Sequence, residues 1–316
     1  MPIDSHTAKF LELLHAVPGK PLWETPLAEA RANMAAGSQF GVAPAAVGSI
    51  ADHRIETPNG PIAVRVYTPP TRQSDVPVGA VLQFHGGGYV LGSLDTHESI
   101  ARHYCAHAGV VVVSVDYHLA PEYRFPTQLH DGYAALCWVA AQASALGIDP
   151  ARIGVAGDSA GGNLAAALCA YARAQGGPPV ACQVLLYPVT DFRSHATYPS
   201  HAEFGTGDYF LSMDEMDWFR AQYLADVEAQ VIDPLASPMA APDLSGLPPA
   251  LVTTSGFDPL RDEGRAYADR LAAAGVPVTY RCFETTIHAC ASFGGVIPAG
   301  GEMLDFAAAW LKAQLA

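Results

Sequence analysis

Charge is scarce in this chain, and positive charge most of all. Only 15% of its 316 residues are charged, and 17 basic residues face 31 acidic ones, a net charge of −14 at neutral pH. A nucleic-acid binder carries a basic patch or stripe, so that class of partner is excluded. The same excess of negative charge disfavours anionic membrane surfaces. Long hydrophobic runs are missing as well: the longest strand-like one, Ala108 to Val113, is far too short to cross a bilayer. Met1 to His6 shows no basic stretch leading into an apolar one, so no signal peptide is expected. The six cysteines (Cys105, Cys137, Cys169, Cys182, Cys282 and Cys290) include no C-x-x-C pair and lie mostly in apolar segments. Buried free thiols in a reducing cytoplasm are the expectation, although the sequence leaves pairing between two of them open. No internal repeat and no H-E-x-x-H or similar histidine spacing is present, so no metal site is expected. What the chain does have is a hydrophobic half, enough for a sizeable core. Its length suits one large α/β domain with an insertion, or two ordinary domains.

The order of apolar patterns narrows that choice. The first fifty residues read as helical, with amphipathic spacing over Lys9 to Leu14 and Leu27 to Arg31. Residues 55–67 read as two strands around Asn59-Gly60. Strand candidates then recur at Gly79 to Phe84, Val110 to Val115, Ile153 to Ala156, Gln183 to Tyr187, Ala250 to Thr254 and Val278 to Phe283, with helices between. Near-continuous apolar strands alternating with helices predict a mostly parallel sheet covered on both faces. Residues 191–240 break the rhythm, with no buried strand and an aromatic-rich stretch from Asp208 to Phe219. Within it Ser212 and Glu215 have capping-box spacing. The expected division is therefore a core over 51–190 and 241–316, with a cap over the strand ends formed by 1–50 and 191–240.

The chemistry concentrates around Gly157-Asp158-Ser159-Ala160-Gly161, a G-x-S-x-G sequence. It follows the apolar run from Ile153 to Ala156 and opens a small-residue helix. Strand, tight turn and helix make a nucleophile elbow, which presents the serine hydroxyl at a helix N-terminus. A serine is too weak an acid to attack unaided, so it needs a base and an acid to orient that base. His288, after the last strand candidate, is the expected base. Asp258, after the strand from Ala250, is the expected acid, with Asp262 its nearest rival. His85-Gly86-Gly87-Gly88 closes an earlier strand and is the candidate oxyanion loop, with the N–H of Ala160 as a further donor.

These pieces resemble the hormone-sensitive-lipase-like (bacterial family IV) esterases of the α/β-hydrolase fold. Three flanking stretches tighten the likeness: Val115 to Glu122, Gly157 to Leu164 and Asp258 to Glu263. The resemblance implies an eight-stranded, mostly parallel sheet with a helical cap. It implies a carboxylesterase that needs no cofactor and hydrolyses small-molecule esters of short to medium acyl chains. It also implies oxyanion donors chiefly at Gly87, Gly88 and Ala160, a bracing role for His85, and a homodimer formed through the last strand.

One departure stands beside His288. The family usually has Gly-Phe after this histidine, whereas Ala289-Cys290 follows here. The missing aromatic predicts a wider pocket beside Ser159, with Asp158, Tyr209, Phe210, Ala289 and Cys290 among its lining. A Cys290–His288 nucleophile is disfavoured because Ser159 occupies the elbow. An amidase, an arylformamidase or a lactonase would use the same machinery, and a receptor on this fold would lack His288.

Overall fold

A computed structural model describes residues 1–17, 19–71, 76–193 and 198–316. Residues 194–197 of the expected insertion, His195 among them, lie outside the described residues. The strands are β1 (Ser49–Ile55), β2 (Ile62–Thr68), β3 (Val78–Phe84), β4 (Val111–Asp116), β5 (Ile148–Asp158), β6 (Gln183–Leu186), β7 (Ala250–Phe257) and β8 (Val278–Ile287). The helices are α1 (Ser5–His15), α2 (Leu27–Gly37), α3 (Glu98–Ala108), α4 (Thr127–Ala141), α5 (Ala143–Leu146), α6 (Ala160–Ala174), α7 (Pro199–Phe204), α8 (Met213–Tyr223), α9 (Val227–Gln230), α10 (Arg261–Ala273) and α11 (Pro298–Leu315).

All eight strands join one sheet in the order β1-β2-β4-β3-β5-β6-β7-β8. The β1–β2 and β2–β4 pairs are antiparallel, and every later pair is parallel. The valine run of β4 shows why the sheet must be covered on both sides. Successive side chains alternate between faces. Val111, Val113 and Val115 therefore join the core beneath α4, α6 and α10, while Val112 joins the one beneath α3 and α11. Neither face can be left in water, which is the physical reason for two helical layers.

Hydrogen bonding carries β7 and β8 beyond the apolar runs that mark them in the sequence. Ser255 pairs with Phe283, the register then shifts, and Phe257 pairs with Ile287. The shift brings the two strand tips level, and the residues immediately beyond them are Asp258 and His288. Elsewhere on the same edge, Asp158 at the tip of β5 pairs with Leu186 of β6.

Among the described residues no strand of the sheet falls between β6 and β7. Helices α7, α8 and α9 fill that interval. Ser212 caps α8 as its spacing with Glu215 predicts: its Oγ accepts from the Glu215 N–H at 3.1 Å, and Glu215 accepts from the Ser212 N–H at 2.9 Å. All six cysteines are free. Among the described residues no helix is long and apolar enough to cross a membrane.

Candidate active site

The turn after β5 is built by exclusion of bulk. A Cβ on Gly157 would strike the backbone of Gly161, and one on Gly161 would strike the carbonyls of Phe84 and His85. Only glycines let β5, α6 and the end of β3 meet this closely. Between them Ser159 is held at φ 54°, ψ −118°, a conformation a serine rarely adopts. Its N–H donates to Leu186 O at 2.9 Å, which pins the turn to β6.

Three side chains from three strand ends meet above this turn. Ser159 Oγ lies 2.9 Å from His288 Nε2, and His288 Nδ1 lies 2.8 Å from Asp258 Oδ2. Asp258 is fully buried and His288 nearly so. The other Asp258 oxygen accepts from the Leu260 N–H at 2.8 Å, so both carboxylate oxygens are engaged. A carboxylate only accepts, which assigns the Nδ1 proton to His288 and leaves Nε2 free to accept from the serine hydroxyl. The rival acid, Asp262, instead accepts from the Ser200 N–H and pairs with Arg261.

The glycine loop divides its donors. Gly87 and Gly88 take φ 109° and 61°, and both line the cavity above Ser159 together with Ala160. The Gly87 and Gly88 N–H groups meet no hydrogen-bond acceptor among the described residues. Gly86 is different and corrects the expectation that it donates to an oxyanion. Its N–H already donates to Asp158 Oδ1 at 3.0 Å, so it anchors the loop instead. Below it, Tyr117 O–H donates to His85 O at 2.7 Å, and the His85 and Tyr117 rings stack. Burial pulls the His85 imidazole down to about 3, so it stays neutral. Burial alone would raise the Asp158 carboxyl. The neighbouring His97 and the Gly86 N–H outweigh it and hold the carboxyl below its ordinary value.

The cavity over Ser159 has a volume of about 1250 Å³ and an apolar lining drawn from α1, α2, α8 and the loops beside them. Of the pocket residues expected from sequence, Asp158, Phe210 and Ala289 line it; Tyr209 and Cys290 do not. Tyr209 packs against Phe204 and Phe257 in an aromatic cluster. Cys290 is fully buried with its Sγ 3.7 Å from Ser255 Oγ, and burial pushes its thiol up to about 12. The reason is Ala289: at φ 60° it turns the chain, so the next side chain enters the core beneath α11. Position 290 therefore does not widen the pocket.

Sequence reasoning missed two contributors. His97 lines the cavity with its Nε2 3.3 Å from Asp158 Oδ2, and no spacing rule marks it. A flank of α1 with Phe10, Leu13 and Leu14 also lines the cavity. Its signal was present, since α1 carries apolar residues on more than the one face that packs on the core.

A doubly covered parallel sheet with serine, histidine and aspartate at the tips of β5, β8 and β7 defines an α/β hydrolase. A family model described as alpha/beta hydrolase fold matches residues 81–292, and the chain belongs to that family, in its hormone-sensitive-lipase-like branch. It is 44% identical over 256 residues to carboxylesterase NlhH of Mycobacterium tuberculosis, covering 80% of this chain and 79% of that one. It is 40% identical over 259 residues to an ethyl acetate hydrolase of Pseudomonas putida, covering 81% and 80%. An esterase structure from Pyrobaculum calidifontis superposes with a TM-score of 0.91 at 38% identity, covering 99% of both chains.

Proposed function

We propose that this chain is a serine carboxylesterase in which Ser159 is the nucleophile, His288 the base and Asp258 the orienting acid. The observation that carries the reading is the unbroken hydrogen-bonded line from Ser159 Oγ through His288 to Asp258, at the floor of an apolar cavity. The kinship with named carboxylesterases supports ester hydrolysis as the reaction. Ser159 Oγ attacks the ester carbonyl as His288 Nε2 takes its proton. The oxygen of the tetrahedral intermediate is met by the N–H groups of Gly87, Gly88 and Ala160, the last at the start of α6. Asp258 keeps the imidazole oriented and stabilises it when charged. His288 then protonates the departing alcohol, and water releases the acid from the acyl-enzyme by the same steps. Ser159→Ala is expected to lower kcat by about 10⁶. A fluorophosphonate should add to the wild-type chain at Ser159 alone, as read by mass spectrometry. Near-normal turnover by Ser159→Ala would overturn the mechanism.

The same reading includes a cap made of residues 1–50 and 191–240, supported by the cavity residues that α1, α2 and α8 supply. It includes work in a reducing cytoplasm, supported by six free thiols. It also includes a homodimer through β8, which ends the sheet and, among the described residues, pairs with β7 alone. Near its end Thr285 O accepts from the Asp4 N–H, so the stretch from Val278 to Phe283 is the part free to pair. Sedimentation equilibrium should give twice the chain mass for the wild type, and the monomer mass for a variant with Pro in that stretch.

A further inference from the structure

The cavity is larger than hydrolysis of a small ester requires, and part of its wall is α1. Ligand pockets for drug-sized molecules run to roughly 300–1,000 Å³, and this one reaches about 1250 Å³. Away from Ser159 it follows α1. That helix is fixed to the core by the buried Thr7 and Leu11, with Thr7 Oγ1 3.3 Å from Thr286 Oγ1, and by Phe10, whose ring lies 4.7 Å from that of Phe293. The flank beside that contact, with Ser5, Phe10, Leu13 and Leu14, lines the cavity, and Val17 lines it past the helix end. From Ser5 to Leu14 is about 13 Å of helix at 1.5 Å per residue. Phe40 and Val296 line the same cavity.

Nothing in the described fold covers this arm along α1. Leu13 is 61% exposed and Val17 72%, values that would be anomalous for packing residues. Of the eleven large hydrophobic side chains exposed among the described residues, five (Leu13, Leu14, Val17, Phe40 and Val296) line this single cavity. An apolar patch of that kind marks a surface with an occupant. Here it is continuous with the space over Ser159, so the occupant that also reaches the nucleophile is part of the substrate. We propose that the arm along α1 holds a long apolar chain, which extends the substrates from short and medium esters to esters of long-chain acids or long-chain alcohols. The proposal rests on the carboxylesterase reading above.

Two series of soluble esters, kept below their micelle concentrations, test it. One lengthens the acyl group from acetyl to dodecanoyl on a constant alcohol. The other lengthens the alcohol on a constant acetyl group. Burying a methylene is worth about 0.8 kcal/mol, so kcat/KM should rise up to about fourfold per methylene and keep rising past octanoyl in one series. The series that rises identifies which side of the ester occupies the arm. In the double variant Leu13→Gln, Val17→Gln the dodecanoyl-to-butanoyl ratio of kcat/KM, or its counterpart in the alcohol series, should fall about tenfold. A decline beyond butanoyl in both series overturns the proposal while leaving the esterase reading intact. So does a ratio that the double variant leaves unmoved. A double variant that dissociates a dimer without changing the ratio assigns the apolar face to a subunit interface and overturns it as well. Absence of turnover on every ester would overturn the reading beneath it.

Discussion

Ser159 is held in strain, and the strain has a use. Its φ of 54° costs about 1–3 kcal/mol and is imposed by the glycines on either side, whose neighbours leave no room for a Cβ. The result is a hydroxyl lifted off the sheet and directed at His288 rather than into the turn. Gly88 has the opposite problem, since its emptiness is occupied by a neighbour. A Cβ there would run into the ring of Phe219 on α8. Gly88→Ala should therefore displace the loop that carries the oxyanion donors and lower kcat by about 10²–10³, the loss typical of one such donor. Adding Phe219→Ala removes the clash and should restore at least tenfold of that loss. Steady-state kinetics on a butanoyl ester read both, and no recovery in the double variant would mean that Gly88 acts through its own backbone angles.

Elements set the distances between such residues. Asp258 and His288 become neighbours because β7 and β8 pair again at Phe257 and Ile287 after a shift in register. Without that shift the two tips would be offset and His288 would lose its orienting acid. A second link runs from α2 to the oxyanion loop. The Arg31 guanidinium donates to Val90 O at 3.0 Å and Ala120 O at 3.1 Å, and grips both Glu122 oxygens at 2.7 and 2.8 Å. Ala120 N–H in turn donates to Tyr89 O. The salt bridge itself is partly exposed and worth little, whereas the bonds to two loop carbonyls position the backbone beside Gly88. Arg31→Met should lower kcat about tenfold with a smaller change in KM, and slow phosphonylation of Ser159 in proportion. Arg31→Lys should recover only part, because a single ammonium cannot reproduce the planar fork. Equal kcat in wild type and Arg31→Met would reduce the contact to a surface pair.

At the scale of the molecule, buried polar groups couple stability to pH. His85 is neutral in the fold down to about 3, against an ordinary value near 6.5. Between those values the unfolded chain binds a proton that the native chain does not, so stability rises with pH there. His85 thus contributes nothing unfavourable above about 6.5 and destabilises the fold progressively as pH falls below it, by about 1.4 kcal/mol per pH unit. Urea unfolding of wild type and His85→Gln between pH 7.5 and 4.5 should show the variant with the shallower slope, by about one proton. Parallel slopes would mean that His85 is charged in the fold. The cavity also belongs to this scale, since no single element contains it: α1, α2, α8 and the loops after β3, β5 and β8 each supply part of the wall.

The sequence by itself determined which residues could react. A serine between glycines after an apolar run, an aspartate and a histidine after later runs, and three consecutive glycines are local patterns, and local sterics dictate what each can do. It likewise determined the doubly covered sheet, because β-branched runs such as Val110 to Val113 leave no face for water. Only the tertiary structure decided how these groups are used. Gly86 and Gly88 are alike in sequence, but an N–H bonded to Asp158 and one open to the cavity differ through a contact 72 residues away along the chain. Cys290 follows His288 in the chain, but a positive φ at Ala289 sends it into the core. The apolar residues of α1 beyond its core-packing face are legible in the sequence, but only the packing of the rest of the chain decides that Leu13, Leu14 and Val17 stay uncovered.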